Sequence, residues 1–201
     1  MRLLPYGDTA LLLDCSSLDE AQAWYATAAE ALADDTDDIV LGAQSVLVRC
    51  GRANEARVRS TLAGLRPTPS AVTPGASLDI PVSYDGEDLD DVAAATGLSC
   101  ADVIAAHTGS PWTVAFGGFA PGFFYLTGGD PRLAVPRRST PRTRVPAGSV
   151  GLAGSFSGVY PRESPGGWQL IGRTDAILWD VERTPPALLT VGAIVRFVNI
   201  S

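Results

Sequence analysis

The sequence predicts an α+β protein in which a small α/β domain over residues 1–66 precedes a β-barrel domain over residues 79–201. Two observations lead to this fold class. Strand and helix patterns alternate before residue 66, as in a small α/β layer. After Pro111, short strands are interrupted by Gly and Pro at close intervals, which is typical of a closed or nearly closed barrel. The intervening residues 67–78, which begin PTPSAVTPGA, have the composition of a linker.

In the first domain, a capping box at Ser17–Glu20 predicts the start of a helix that continues to about Ala33. Its apolar residues recur with helical spacing and so form one face. The other elements expected here are a strand at Thr9–Asp14, a strand at Ile39–Arg49 with a bulge or bend at Gly42, and a helix at Ala53–Leu65.

In the second domain, a strand at Ile80–Tyr84 precedes two short helices. The first helix spans Leu89–Thr96 and has Gly97 as its C-terminal cap. The second begins at Ser99 and ends near His107 and Gly109. The clearest later strands are Thr113–Phe116, Val150–Ala153, Trp168–Ile171, Ala176–Asp180 and Ile194–Asn199.

Composition excludes several kinds of chemistry. The net charge is −7, and all 15 basic residues are arginine. Without lysine the chain can form no Schiff base, supply no P-loop lysine and carry no biotin. The acidic charge argues against nucleic-acid binding. No stretch resembles a membrane span or a signal peptide, and three scattered cysteines form neither a disulfide framework nor a zinc signature. A cytoplasmic protein is expected.

Five arginines lie within Pro131–Val145, where prolines recur every five residues. Proline holds φ fixed, so this segment is expected to be stiff and extended, along a sheet edge or groove. Arg142 and Arg144 then point to the same side and could bind a carboxylate or phosphate, whereas Arg137 and Arg138 point to opposite sides. The alternatives are a solvated rim, or pairing with the acidic first half of the chain.

Glycines follow in the pattern GxxGxxG at Gly148, Gly151 and Gly154. Their amides could line an oxyanion, or they could simply form tight turns. Glu163 precedes the rigid turn SPGGW and could act as a general base or bind an ammonium or amide group. The alternative is an ordinary ion pair with Arg162 or Arg173.

His107, the only histidine, ends a short helix, where the helix dipole would favour its protonated form. It is either a packed residue or a catalytic one. The aromatic loop GGFAPGFFYL at residues 117–126 has four aromatic side chains, which form a pocket wall or cover a partner surface. No protein-only zinc site and no complete ATP site is evident, so magnesium would have to be held by Glu163 or by another chain.

Three motifs resemble the KipI/PxpB family, also called allophanate hydrolase subunit 1. They are GFAPGFFYL (118–126), PRLAVPRRSTPRTRVPAGSVGLAGS (131–155) and ESPGGWQLIGRT (163–174), and YGDTALLL (6–13) and IPVSYDGEDLDDVAAATGLS (80–99) also match. The resemblance spans nearly the whole chain. It implies a cyclophilin-like β barrel after the α/β domain.

The resemblance also implies a function. With a homologous subunit 2 (PxpC-like) and a third, lactam-opening subunit (PxpA-like), the protein is expected to act as the B subunit of an ATP-dependent 5-oxoprolinase that opens 5-oxoproline to L-glutamate. It is expected to be inactive alone, with ATP bound by this chain or by a partner. The alternatives are a KipI-like inhibitor of a histidine kinase, and a carboxyltransferase subunit of the allophanate hydrolase or urea carboxylase type.

For an acidic small-molecule substrate, Glu163 and His107 are the candidate catalytic residues. The candidate binding residues are Arg142, Arg144, Arg137, Phe119, Pro121, Gly122, Tyr125, Gly148, Ser149, Gly151, Gln169 and Arg173.

Overall fold

The computed structural model describes residues 1–67 and 75–201, and the chain divides into two compact units, Met1–Val72 and Thr73–Ser201. The predicted linker at 67–78 falls mainly on residues 68–74, which lie outside the described residues. Within the described part of the chain, no helix has both the length and the apolar character needed to cross a membrane.

The first unit is an antiparallel sheet of four strands with two helices. The strands are β1 (Arg2–Tyr6), β2 (Ala10–Asp14), β3 (Asp38–Leu41) and β4 (Ser45–Arg49), in the order β1-β2-β4-β3. The helices are α1 (Leu18–Ala31) and α2 (Gly51–Gly64). Side chains alternate between the two faces of the sheet along each strand. On one face, Leu11 and Leu13 of β2 and Val46 and Val48 of β4 are fully buried.

Three features of this unit differ from the prediction. Strand β1 has no counterpart among the expected elements. The expected strand at Ile39–Arg49 is a hairpin, because the chain turns at Gly42, whose amide donates to the carbonyl of Ser45 at 2.8 Å. The capping box of α1 is also incomplete, because the two capping hydrogen bonds involve Ser17 and Ser16 rather than Ser17 alone. The hydroxyl of Ser17 accepts from the Glu20 amide, as in a capping box, but the Glu20 carboxylate accepts from the amide of Ser16 at 2.7 Å.

The second unit is built on a sheet of seven strands, in the order β12-β9-β10-β7-β6-β13-β5, with a separate pair β8 and β11. Its strands are β5 (Ser77–Val82), β6 (Trp112–Gly117), β7 (Phe124–Thr127), β8 (Arg142–Val145), β9 (Ser149–Ala153), β10 (Phe156–Val159), β11 (Ser164–Gly166), β12 (Gln169–Arg173) and β13 (Ile194–Asn199). All neighbours are antiparallel except β5 and β13. Ser83 and Arg173 exchange two backbone hydrogen bonds of 2.9 Å, which join the two edges and nearly close the barrel.

Two helices, α3 (Leu89–Thr96) and α4 (Cys100–Gly109), complete this unit as predicted. Gly97 ends α3 with φ +70°, and Ser99 and Asp102 form a complete capping box at the start of α4. Val92 of α3 and Val103 of α4 are buried in the same apolar cluster as the barrel strands. The helices therefore contribute to the barrel core.

The predicted strand at Ala176–Asp180 is wrong. This segment makes a single bridge, between Trp179 and Ala187. The stretch opposite it contains Pro185 and Pro186, which have no amide hydrogen to continue a ladder. The other expected strands of the barrel are confirmed as β5, β6, β9, β12 and β13, whereas the sequence patterns do not predict β7, β8, β10 and β11.

Candidate functional site: an aromatic cavity beside the arginine segment

A small cavity of about 90 Å³ opens in the barrel unit where the aromatic loop, the arginine segment and the SPGGW turn meet. It is lined by Phe119, Phe123, Tyr125, Arg137, Tyr160, Gly166, Gly167 and Trp168. Its volume is well below the ~300 Å³ at which pockets for drug-sized ligands begin, so it suits one small ring. It combines apolar walls with a single guanidinium.

The loop carrying Phe119 has an unusual backbone. Phe119 has φ +71°, and the amide of Ala120 donates to the carbonyl of Gly118 at 2.8 Å. Together these define a γ-turn with positive φ, the rarer and more strained form. A bulky residue in the left-handed region costs on the order of 1–2 kcal/mol. The turn nonetheless holds the Phe119 side chain at the cavity, where it is 58% exposed.

Edge-to-face contacts fix the remaining aromatic walls. The ring of Phe123 lies 5.3 Å from those of Phe119, Tyr160 and Trp168, at interplanar angles between 74° and 87°. Such pairs stabilise by about 0.5–1.5 kcal/mol beyond their burial. Gly166 must lack a side chain, because a Cβ there would lie 2.2 Å from the hydroxyl of Tyr160. Phe123, Tyr160 and Trp168 therefore form a closely packed wall of the cavity.

Below the arginine segment, a buried carboxylate holds two of its guanidinium groups. Asp88 is 1% exposed and accepts from Arg138 at 2.5 Å, from Arg142 at 2.7 Å and from the amide of Leu170 at 2.6 Å. Burial alone would raise the pKa of Asp88. The hydrogen bonds from Arg142 and Leu170 and the two positive charges outweigh burial, so the pKa lies below its usual value. Asp88 thus ties this segment to the barrel.

The predicted pair of Arg142 and Arg144 does not share a ligand site in the structure. Arg142 is mostly buried and contacts Asp88 and Glu87, whereas Arg144 is 75% exposed and pairs with Glu163 at 2.6 Å. Arg142 therefore pairs with acidic residues from the first half of the chain, which is one of the two alternatives to ligand binding. Glu163 is half exposed and does not line the aromatic cavity.

The glycine amides that were expected to bind an oxyanion instead form hydrogen bonds within the barrel. The Gly148 amide donates to the carbonyl of Tyr160 and the Gly154 amide to that of Val135, while Gly151 lies inside strand β9. Gly148 has φ +78°, and a Cβ there would lie 2.2 Å from the carbonyl of Thr174. Close backbone packing in the barrel, rather than anion binding, accounts for this motif.

His107 lies in the core, fully buried, and not at the cavity. Its ring is stacked on Phe197 at 4.3 Å and is hydrogen-bonded to the hydroxyls of Tyr84 at 2.7 Å and Ser157 at 2.9 Å. Burial lowers the pKa of His107 to about 3, so the imidazole is neutral. The expectation of a protonated, catalytic histidine is corrected, because desolvation outweighs the helix dipole.

The remaining predicted residues are dispersed. Ser149 and Arg173 line a second cavity of about 170 Å³ with Asp85, Glu87 and Pro146, and Arg173 is paired with Asp85 at 2.9 Å. Pro121, Gly122 and Gln169 belong to neither lining, although Gln169 donates to the carbonyl of Pro136.

Of the predicted binding residues, the structure brings Phe119, Tyr125 and Arg137 to one cavity. Their role in binding stays a prediction. Asp88 and the lining residues Tyr160, Gly166, Gly167 and Trp168 were not among the expected site residues, and Phe123 was expected only as one of the four aromatic side chains of the loop. Phe123, Asp88 and the Gly166–Trp168 turn lie inside motifs that the sequence does mark, whereas nothing local marks Tyr160.

Curated relatives agree on one description, the B subunit of 5-oxoprolinase. The chain is 51% identical over 127 residues to this subunit from Bacillus subtilis (62% of this chain, 53% of the relative). It is 47% identical over 127 residues to the one from Haemophilus influenzae (62% and 60%), and 50% identical over 124 residues to that from Escherichia coli O157:H7 (60% and 57%). The matched regions span little more than half the length of these relatives.

Solved structures share the fold. TTHA0988 matches with TM-score 0.79 and 36% identity, over 96% of this chain and 40% of that chain. The conserved uncharacterized protein PH0987 from Pyrococcus horikoshii matches with TM-score 0.61 and 34% identity, over 100% and 98%. The Kluyveromyces lactis urea amidolyase, at 17% identity and TM-score 0.77 over 99% of this chain and 15% of its own, shares the fold alone.

The family described as "Carboxyltransferase domain, subdomain C and D" matches residues 1–189. This match covers most of both compact units, and it agrees with the relatives and with the motifs of the sequence. The chain therefore belongs to the carboxyltransferase domain, subdomain C and D family, which confirms its resemblance to KipI and PxpB.

Proposed function

We propose that this chain is the B subunit of a 5-oxoprolinase, one component of an assembly that opens 5-oxoproline to L-glutamate with ATP. The observation that carries the proposal is the shared name of three bacterial relatives at 47–51% identity. The assembly would also contain a PxpC-like subunit 2 and a PxpA-like third subunit, and the chain would be inactive without them.

ATP binding is assigned to a partner subunit, because the residues of this chain fit the nucleotide poorly. The chain has no lysine for the phosphates, and the amides of its glycine-rich segment donate to barrel carbonyls. Within residues 1–67 and 75–201, no three His, Cys, Asp or Glu side chains are grouped to hold a metal ion such as Mg²⁺. This chain's part is then to bind or position the acidic substrate.

A reconstitution experiment tests this proposal. The chain is co-expressed with the subunit 2 and lactam-opening proteins of the same genome, and glutamate release from 5-oxoproline is measured with and without ATP. We expect ATP-dependent release that is lost when this chain is omitted. Release that is unchanged without the chain would overturn the proposal, as would biotin-dependent carboxylation of urea in its place.

The same preparation separates the regulatory alternative from the enzymatic one. A KipI-like inhibitor would lower the autophosphorylation of a sporulation histidine kinase and would leave glutamate release unaffected. We expect the opposite result, with full kinase activity and a requirement for this chain in lactam opening.

A further inference from the structure

Arg137 differs from the other arginines of its segment in having no acidic partner. Arg132 pairs with Asp130, Arg138 and Arg142 with Asp88, and Arg144 with Glu163. Among the residues that the structure describes, no carboxylate forms an ion pair with Arg137. Its guanidinium is the group of this segment that remains available to an anion, and it lines the aromatic cavity.

The backbone on both sides of Arg137 is fixed. Gln169 donates its side-chain amide to the carbonyl of Pro136 at 3.2 Å, and the Arg138 amide donates to the carbonyl of Gly167 at 2.8 Å. In an extended chain neighbouring side chains point in opposite directions. Because Arg138 points to Asp88, Arg137 is directed to the other side, where it lines the cavity with Gly167.

The wall opposite is maintained at a conformational cost. The strained turn at Phe119 would be relieved by glycine, which adopts positive φ freely, yet a phenylalanine with a largely exposed ring stands there. Strain of this kind is concentrated at functional sites. An exposed ring held beside Phe123, Tyr160 and an unpaired guanidinium is arranged as a binding surface rather than as core.

We infer that this cavity binds a small five-membered ring that bears a carboxylate, with the ring on the aromatic walls and the carboxylate on Arg137. Guanidinium and carboxylate match as a two-pronged pair, and an apolar surrounding strengthens such a contact. The cavity of about 90 Å³ is too small to enclose a whole nucleotide and admits a five-membered ring. That 5-oxoproline is the natural ligand rests on the proposed function, whereas the ligand class rests on the cavity itself.

Binding to the full-length chain alone tests the inference. Ligand-detected NMR and Trp fluorescence are followed with L-5-oxoproline, with pyrrole-2-carboxylate, a planar ring acid, and with 2-pyrrolidinone, which lacks the carboxylate. We expect both acids to bind and the neutral lactam to bind far more weakly. Arg137→Met should weaken the binding of both acids by about tenfold or more.

A matched variant controls for loss of charge. Arg196→Met also removes one exposed arginine from the barrel unit, but Arg196 pairs with Asp79 and does not line the cavity. It should bind both acids as the parent does. Phe119→Gly should weaken binding without lowering the melting temperature, because it removes a wall and relieves the turn. Equal affinity in the parent and Arg137→Met would overturn the inference.

The outcomes distinguish this inference from the proposed function. If pyrrole-2-carboxylate binds through Arg137 while the reconstituted assembly releases no glutamate, the site stands and the 5-oxoprolinase proposal fails. If the assembly releases glutamate at the parent rate with Arg137→Met and neither acid binds to the chain, the function stands and this site is wrong.

Discussion

Replacing Asp88 by alanine should strongly destabilise the barrel unit. The change removes three short hydrogen bonds at a 1% exposed carboxylate and leaves two guanidinium groups without their shared partner. Removing one member of a buried ion pair costs about 3–5 kcal/mol. Arg138 is already 32% exposed and Arg142 keeps Glu87, so we expect the lower part of this range, about 3 kcal/mol.

Urea denaturation and calorimetry measure this cost. A loss of about 3 kcal/mol corresponds to a decrease in melting temperature of roughly 10 °C for a domain of this size. Asp79→Ala is the matched control, because it removes an acid of the same unit whose pair with Arg196 is more than half exposed. It should cost no more than about 1 kcal/mol. Equal costs for the two variants would refute the reasoning.

The protonation of Asp88 adds a pH test. Its pKa is lower in the folded state than the ordinary value of 3.8, so its stabilisation is complete above pH 3.8 and is lost as pH falls further. Asp88→Asn keeps the shape and an acceptor oxygen but has no charge to lose. We expect a shallower loss of stability below pH 3.8 in this variant than in the parent, and parallel curves would contradict the assignment.

Three further changes have defined outcomes. The pKa of His107 falls from 6.5 to about 3 on folding, so between these pH values only the unfolded chain binds a proton at this residue. The free energy of unfolding should therefore fall by up to about 1.4 kcal/mol per pH unit below pH 6.5. His107→Gln should abolish this slope, which urea titrations at about pH 7 and about pH 5 measure. Gly166→Ala places a Cβ 2.2 Å from the Tyr160 hydroxyl and should lower the melting temperature, whereas Gly64→Ala, with no atom within 4 Å, should not. Ser99→Ala removes the capping box of α4 and should cost about 1 kcal/mol in thermal unfolding; no change would contradict a stabilising cap.

Local signals predicted the elements that depend on neighbours in sequence. Both helices of the barrel unit were placed closely because Gly97 and the Ser99–Asp102 box act within one helical turn. Strands β7 and β10 were missed although each pairs with the strand that precedes it in the chain, because the glycines around them indicate turns rather than strands. The strand expected at Ala176–Asp180 failed for a different reason, since the segment opposite it contains prolines, which cannot continue a ladder.

In the candidate site, too, the sequence predicts local motifs but not the contacts between them. The aromatic loop, the arginine segment and the SPGGW turn are recognisable as separate motifs, and residue types sufficed to suggest an acidic small ligand. Which arginine is available could not be deduced, because five arginines are chemically alike until their partners are known. Asp88, 50 residues from Arg138 and 82 from Leu170, decides this in the folded chain.

By itself the sequence determined the fold class, the short helices with their caps, the family, and the absence of lysine chemistry. Only the tertiary structure decided that Arg142 is held by a buried carboxylate, that His107 is a neutral core residue, and that Arg137 lines the aromatic cavity. The physical reason is that burial and charge pairing, which set the pKa and availability of each group, arise from contacts between segments far apart in the chain.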